Sequence, residues 1–373
     1  MSYPTRKDPK KLIISFTVIV VILIAAYALI TWNPTNNQIK LKVYTYDSFM
    51  AWGEDPDNID DIILSPFEEE YGVDVEIVRL NTDANGIISR LVAEATNPVA
   101  DIVIGIDNIL ILQSIAKSVL EPYTPTNLDL INDSIVSALD SDHYVTPFDF
   151  GLVTLIYKPA NFNSTSYPEL DNLTLLELAD FAQYLVTENP HFSSPGLAFF
   201  LSQIAVYEKL MEEDWTQWWI DVKGDIDVQE GWTEAWTKWD SDPSRHLLVS
   251  YGTDPAYGAA YTGEAPDTAI APIHYNGLDY AWMQVEGIGL VKNGPNPELA
   301  KSFIDYCLTE QVQAHIALNQ WMFPANTAVD LDPVFQYALH PDEVNLLNSL
   351  LTSTEIATNL ATWFDQYDSI MTG

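Results

Sequence analysis

Apolar residues are distributed along this chain in three ways. From Leu12 to Ile30 they form a run of 19 residues without a charge, close to the roughly 20 that a bilayer-spanning helix needs. Leu41 to Tyr46 alternates apolar and polar side chains, as a half-buried strand does. Val73 to Leu80 reads as a second strand, and Ala100 to Ile106 is a continuous apolar stretch of the kind buried in a parallel sheet. Between these strands, helical spacing of the apolar positions predicts helices from about Ile59 to Tyr71 and from about Asn85 to Ala95. The strand-helix alternation is that of an α/β layer.

Val145 to Tyr157 (VTPFDFGLVTLIY) reads as a long strand interrupted by proline and glycine, a crossing from one lobe into another. Beyond it the pattern repeats. Helices are expected near Leu175 to Leu185, Gly196 to Met211 and Thr233 to Asp240, and strands near Asp225 to Val228, Leu247 to Ser250 and Gln284 to Val291. A helical pair, Asn296 to Leu308 and Thr309 to Leu318, follows. The expected architecture is a two-lobed α/β fold with a hinge at crossings near Tyr144 to Gly151 and Gln284 to Gly287. One lobe takes residues 40–146 with about 287–325, the other 147–286 with about 326–373.

The N-terminal run changes where this body is expected to lie. Arg6, Lys7, Lys10 and Lys11 precede it and Trp32 follows it, so the positive-inside rule leaves residues 1–11 in the cytoplasm and the body outside. Residues 12–32 are read as a transmembrane anchor and 33–39 as a polar linker. Ala26-Tyr27-Ala28 has the form a signal peptidase reads, but the apolar run continues past it, which favours the uncleaved anchor. Asn132, Asn163 and Asn172 stand in short N-glycosylation patterns.

Fifty-three acidic residues against 16 basic give a formal net charge of −37, which repels nucleic acid and anionic lipid. Cys307 is the single cysteine, so no intrachain disulfide or cysteine-based zinc cluster can form. The sequence contains no phosphate-binding loop, dinucleotide fingerprint, zinc-protease motif or nucleophile elbow, and its six histidines have no metal-ligand spacing. No catalytic or metal-binding residue is expected. Acid pairs such as Asp101 with Asp107 or Asp47 with Asp149 read as solvated faces or helix caps.

Two signals point to binding instead. Ser193-Ser194-Pro195-Gly196 precedes the apolar Leu197 to Phe200 and places hydroxyls and N–H groups at a helix start, which suits an anion or an ordinary serine cap. Tyr46, Trp52, Trp232, Trp236, Tyr251, Tyr257 and Trp321 stand in expected loops or beside glycine and proline. Flat rings there could sandwich a heteroaromatic ligand, stack on a sugar, or hold a cation by about 0.5–2 kcal/mol per contact.

Several separated motifs, taken together, resemble the thiamine-binding members of the type II solute-binding superfamily. They are VYTYDSF from Val43, ADIVIGIDN from Ala100, VTPFDFG from Val145, SSPGL from Ser193, GWTEA from Gly231, VSYGTDPAY from Val249 and NQWMFP from Asn319. They run in order along nearly the whole body. The resemblance implies a ligand, thiamine or a thiamine phosphate, with its aminopyrimidine stacked between Tyr46 and Tyr257. Tyr251, Trp232 and Trp321 would complete the cage, and the Ser193-Ser194-Gly196 turn would receive the hydroxyethyl or phosphate end. Trp52, Asp83 and Asp107 carry over less cleanly. His191-Phe192 stands where the family would place an arginine before the serine turn, which weighs against a preference for the phosphorylated forms. The implied partners are an ABC-transporter permease and its ATPase, with no cofactor beyond the transported ligand. A carbohydrate-binding protein would use the same tryptophans, and an exported hydrolase would need a titrating carboxylate pair.

Overall fold

A computed structural model describes residues 38–82 and 84–373. The anchor expected over residues 12–32 and the candidate Asp83 lie outside the described residues. No helix among the described residues is long and apolar enough to cross a membrane. Residues Lys40–Gly373 form one compact unit.

The first elements are β1 (Ile39–Tyr46), α1 (Ile59–Tyr71), β2 (Val73–Leu80), α2 (Ala84–Glu94) and β3 (Ile102–Asp107). The α1 helix stops at Gly72, which takes the left-handed conformation (φ 66°) that favours glycine and lets its N–H reach the Glu68 carbonyl. All six residues of β3 are buried, as the continuous apolar run predicts. Then comes β4 (Val145–Tyr157), one unbroken strand of 13 residues despite Pro147 and Gly151.

Further along lie β5 (Leu185–Glu188), α3 (Ser194–Ile204), β6 (Asp227–Gln229), α4 (Trp232–Ser241), β7 (Leu247–Tyr251) and α5 (Asp254–Thr262). After them come β8 (Leu278–Val291), α6 (Pro297–Cys307) and the terminal α7 (Ser353–Thr372). The main path of the sheet runs β2-β1-β3-β8-β4-β7-β5-β6. β1 and β3 are parallel, as are β7, β5 and β6, whereas β8 and β4 lie antiparallel to each other and to their outer neighbours. These two long strands join the parallel layers.

Two large apolar cores flank that junction. One gathers residues from Leu41 to Leu152 together with Ala281 and Met283 to Ala325. The other gathers Val153 to Val249 with Ala271 to Trp282 and the inner face of α7, Ile356 to Tyr367. A smaller cluster of Ala256, Trp321, Phe323 and Phe335 lies apart from both.

Three expectations need correction. The helix expected over Leu175 to Leu185 ends at Asp180, and Leu185 opens β5, whose four residues are all buried. That strand pairs in parallel with β6 and β7, and such fully buried strands carry no alternation to distinguish them from helix. The helix expected from Gly196 to Met211 starts at Ser194 and becomes a π-helix from Ala205 to Met211. Tyr257 lies on α5 and not in a loop; Asp254-Pro255 is a helix start, with proline at the first turn and an acid among the unpaired N–H groups.

Candidate functional site

A cavity of about 390 Å³ opens where the crossing strands meet the loops around them. Eight of the eleven candidate residues line it: Tyr46, Trp52, Ser193 and Ser194, and Trp232, Tyr251, Tyr257 and Trp321. Asp107 and Gly196 do not line it, and Asp83 is not described.

The rim is aromatic. Trp52 meets Trp232 edge-on at 5.4 Å between ring centroids, and Tyr257 meets Trp321 at 5.2 Å with planes at 90°. Edge-to-face packing is the arrangement ring quadrupoles prefer. The Trp52 carbonyl accepts hydrogen bonds from Trp321 Nε1 (2.9 Å) and from the Tyr261 hydroxyl (2.7 Å). Trp321 itself holds φ 57°, a strained conformation for a bulky residue. Met50 N–H donating to Gln320 Oε1 (2.6 Å) and Trp52 N–H to the Asn319 carbonyl (3.1 Å) fix the strained turn against the loop after β1.

The floor is acidic and built by strand register. Glu286 on β8 pairs with Asp107 on β3 and with Asp149 on β4, so three carboxyl-bearing residues share one rung of the sheet. Like charges placed opposite one another across strands are unfavourable. The register shifts between Glu286 and Gly287 against β4 and between Gly287 and Ile288 against β3, and such irregularities are a common way of aiming a side chain into a site. Glu286 is held by the Tyr46 hydroxyl (2.7 Å to Oε2) and by Gln284 Nε2 (2.8 Å to Oε1). Gln284 also donates to the Tyr251 hydroxyl at 2.9 Å, and Gln320 donates to that of Tyr46. Tyr46 fits because Gly105 has no side chain; a Cβ there would lie 2.5 Å from its ring.

Burial raises the Glu286 carboxyl to about 7, partly opposed by the Tyr46 hydrogen bond and reinforced by Asp107. Asp149 is fully buried with neither oxygen partnered, and burial followed by the Glu286 charge pushes its carboxyl well above the usual range. It is therefore no solvated face. Asp101, by contrast, accepts from the Lys42 and Asn296 amides as a structural tie.

The serine turn is a helix cap. Ser193 Oγ accepts from the Gly196 amide, Ser194 donates its hydroxyl to Asp107, and Asp107 also accepts from the Ile109 and Leu110 amides at 2.8 Å. Gly196 packs on β5, where a Cβ would come 2.7 Å from the Glu188 carbonyl. Its role is close approach to backbone, and it makes no part of the cavity wall. His191 turns outward to Asp368 (Nε2 to Oδ1, 2.8 Å), while Phe192 lines the cavity.

Sequence reasoning missed Glu286 and Asp254. The first is a lone acid inside the apolar run MQVEGIGLV, and the second lies inside the VSYGTDPAY motif; a charge in a buried run was the available signal. No cluster of three potential metal ligands occurs among the described residues. The Cys307 thiol is buried and its pKa is raised by that burial.

The pattern of the bacterial extracellular solute-binding protein family matches residues 46–314. The thiamine-binding periplasmic protein of Escherichia coli K12 is 29% identical over 331 residues, covering 88% of this chain and 92% of its own. Its counterpart in Brucella abortus biovar 1 is 28% identical over 329 residues, covering 88% and 91%. A solved structure of a periplasmic thiamin binding protein superposes with a TM-score of 0.73 at 26% identity, over 90% of this chain and 96% of that one.

Proposed function

The chain belongs to the bacterial extracellular solute-binding protein family, and from that membership we propose that it captures thiamine outside the cytoplasm and delivers it to an ABC-type permease and its ATPase. It performs no chemistry on the ligand. The observation that carries this reading is the cavity itself, with aromatic rings at its rim and carboxylates at its floor. A cationic heteroaromatic compound is the ligand class that such a combination suits. The relatives named for thiamine binding span the whole body and support the same reading.

In this reading the aminopyrimidine stacks between Tyr46 and Tyr257, while Tyr251, Trp232 and Trp321 enclose the thiazolium. Trp52 closes the rim, and Asp107 acts through Ser194 as a positioning residue. Asp83 is retained as a candidate from the sequence alone. The two apolar cores mark two lobes, with sequence-based bounds of 40–146 with about 287–325 and 147–286 with about 326–373, although the first core also takes in Phe148, Leu152, Ala281 and Met283. The strands β4 and β8 form the hinge between them, and closing it on the ligand is the motion expected of the class. Residues 12–32 anchor the protein to the membrane, with the body extracytoplasmic.

Calorimetric titration of the full chain with thiamine and with a panel of sugars tests the assignment. Saturable binding of thiamine without sugar binding is the expected result. Sugar binding in the absence of thiamine binding would replace it with the carbohydrate reading.

A further inference from the structure

Five carboxylates line the cavity: Asp47, Glu230 and Glu234 at its exposed edge, and Asp254 and Glu286 buried within it. Among the described lining residues there is no lysine, arginine or histidine. Asp254 stands out. It is 6% exposed and its Oδ2 has no hydrogen-bond partner, so a buried polar oxygen is available to a ligand. It opens α5, three residues before Tyr257, and is connected to Glu286 through Tyr251. The Tyr251 amide faces Asp254, and the Tyr251 hydroxyl shares Gln284 with Glu286.

The serine turn offers an anion little in return. Its hydroxyl at Ser194 is donated to Asp107, the Gly196 amide is capped by Ser193, and Pro195 has no N–H to give. A phosphate seated there would find the Ser194 hydroxyl and the Gly196 amide already engaged and a buried carboxyl directly behind them. Nearby buried charges of one sign repel strongly, because little water screens them.

We propose that this site selects the unesterified thiamine cation over its phosphate esters, with Asp254 and Glu286 as the specificity-determining residues. The proposal rests on the thiamine reading above and deepens it. Asp254 pairs the positive charge of the ligand with its free oxygen. Glu286 does the same from the floor. Each also excludes the ester by like-charge repulsion, so specificity comes from a repulsive element as well as an attractive one.

The test is a set of competition titrations on the full chain with thiamine, thiamine monophosphate and inorganic phosphate, using the wild type, Asp254→Asn and Glu286→Gln. Wild type should bind thiamine at least about tenfold more tightly than the monophosphate, and inorganic phosphate should not compete. Either substitution should narrow that gap, weakening thiamine and strengthening the ester. Asp254→Ser serves as a second variant should Asp254→Asn fold poorly. Equal or tighter binding of the monophosphate to wild type overturns the proposal while leaving the thiamine reading standing. So does a gap that stays the same in both variants. Absence of binding by thiamine and its ester alike, with a sugar bound, removes both.

Discussion

The rim and the floor of the cavity are built on opposite principles. At the rim, Trp52, Trp232, Tyr257 and Trp321 sit on a loop, two helices and a strained turn, and touch mainly one another's edges. At the floor, Tyr46 and Glu286 project from strands whose register is fixed by backbone hydrogen bonds, with Asp149 buried beside Glu286. Rings packed edge to edge can separate to admit another ring at modest cost, whereas a carboxylate on a central strand moves only if the sheet does. The rim therefore supplies adaptable contact area and the floor supplies fixed charge.

The largest effect should come from removing a ring at the rim. Tyr257→Ala loses a stacking face and apolar contact, about 2–3 kcal/mol or roughly 30- to 150-fold in affinity, while Tyr257→Phe keeps the ring and should change little. Titration and melting measured on the same samples separate the two roles of Tyr257. If the folded fraction of Tyr257→Ala binds thiamine as tightly as wild type, the ring belongs to the helix packing alone.

At the floor the expected loss is smaller. Glu286→Gln keeps size and most hydrogen bonds but removes the charge, and thiamine affinity at pH 8 should fall roughly tenfold. At pH 5 the wild-type carboxyl is protonated and the difference should shrink.

The same acids make the floor a source of pH dependence. Burial raises both Asp254 and Glu286 to about 7 from ordinary values of 3.8 and 4.5. Glu286 faces Tyr46, Asp107 and Asp149, and Asp254 faces Ser250, Tyr251 and Glu188. Below about pH 4 these groups are protonated in both folded and unfolded chains and contribute nothing. Between about 4 and 7 the unfolded chain releases protons that the folded chain retains, so stability falls as pH rises, and above 7 the loss is complete. The melting temperature of the free protein should be lower at pH 8 than at pH 5, and Asp254→Asn should flatten that decline. Thiamine, which pairs with the ionised forms, should raise the melting temperature more at pH 8. A rise in melting temperature between pH 5 and 8 would contradict the burial of these acids.

A smaller effect probes the rim without mutation. Trp52, Trp232 and Trp321 line the cavity, so saturating thiamine should quench intrinsic tryptophan fluorescence. An unchanged spectrum with binding shown independently would mean that the ligand does not reach the rim.

The rim was far more legible in sequence than the floor. Trp52, Trp232, Tyr257 and Trp321 announce themselves because large rings in expected loops or beside glycine and proline are poor candidates for a regular core, and their motifs carry the family resemblance. The alternation of β1 and the helical spacing of α1 likewise set those elements within a few residues. The floor depends on which residues meet across strands distant in sequence. Nothing local to Asp149 or Glu286 says that register will set them opposite each other. Asp149 therefore read as an ordinary acid among many. The serine turn misled for a related reason: the Ser194 hydroxyl and the Gly196 amide look free in sequence and are engaged only when α3 folds beside Asp107.

The measurement that bears most directly on a cation held between an aromatic rim and an acidic floor is a crystal structure of the chain with thiamine bound. The account predicts the aminopyrimidine between Tyr46 and Tyr257, with the thiazolium enclosed by Tyr251, Trp232 and Trp321 and a carboxylate oxygen of Asp254 or Glu286 in contact with the ligand. Thiamine seated outside this cavity, or within it but remote from both carboxylates, would contradict the account.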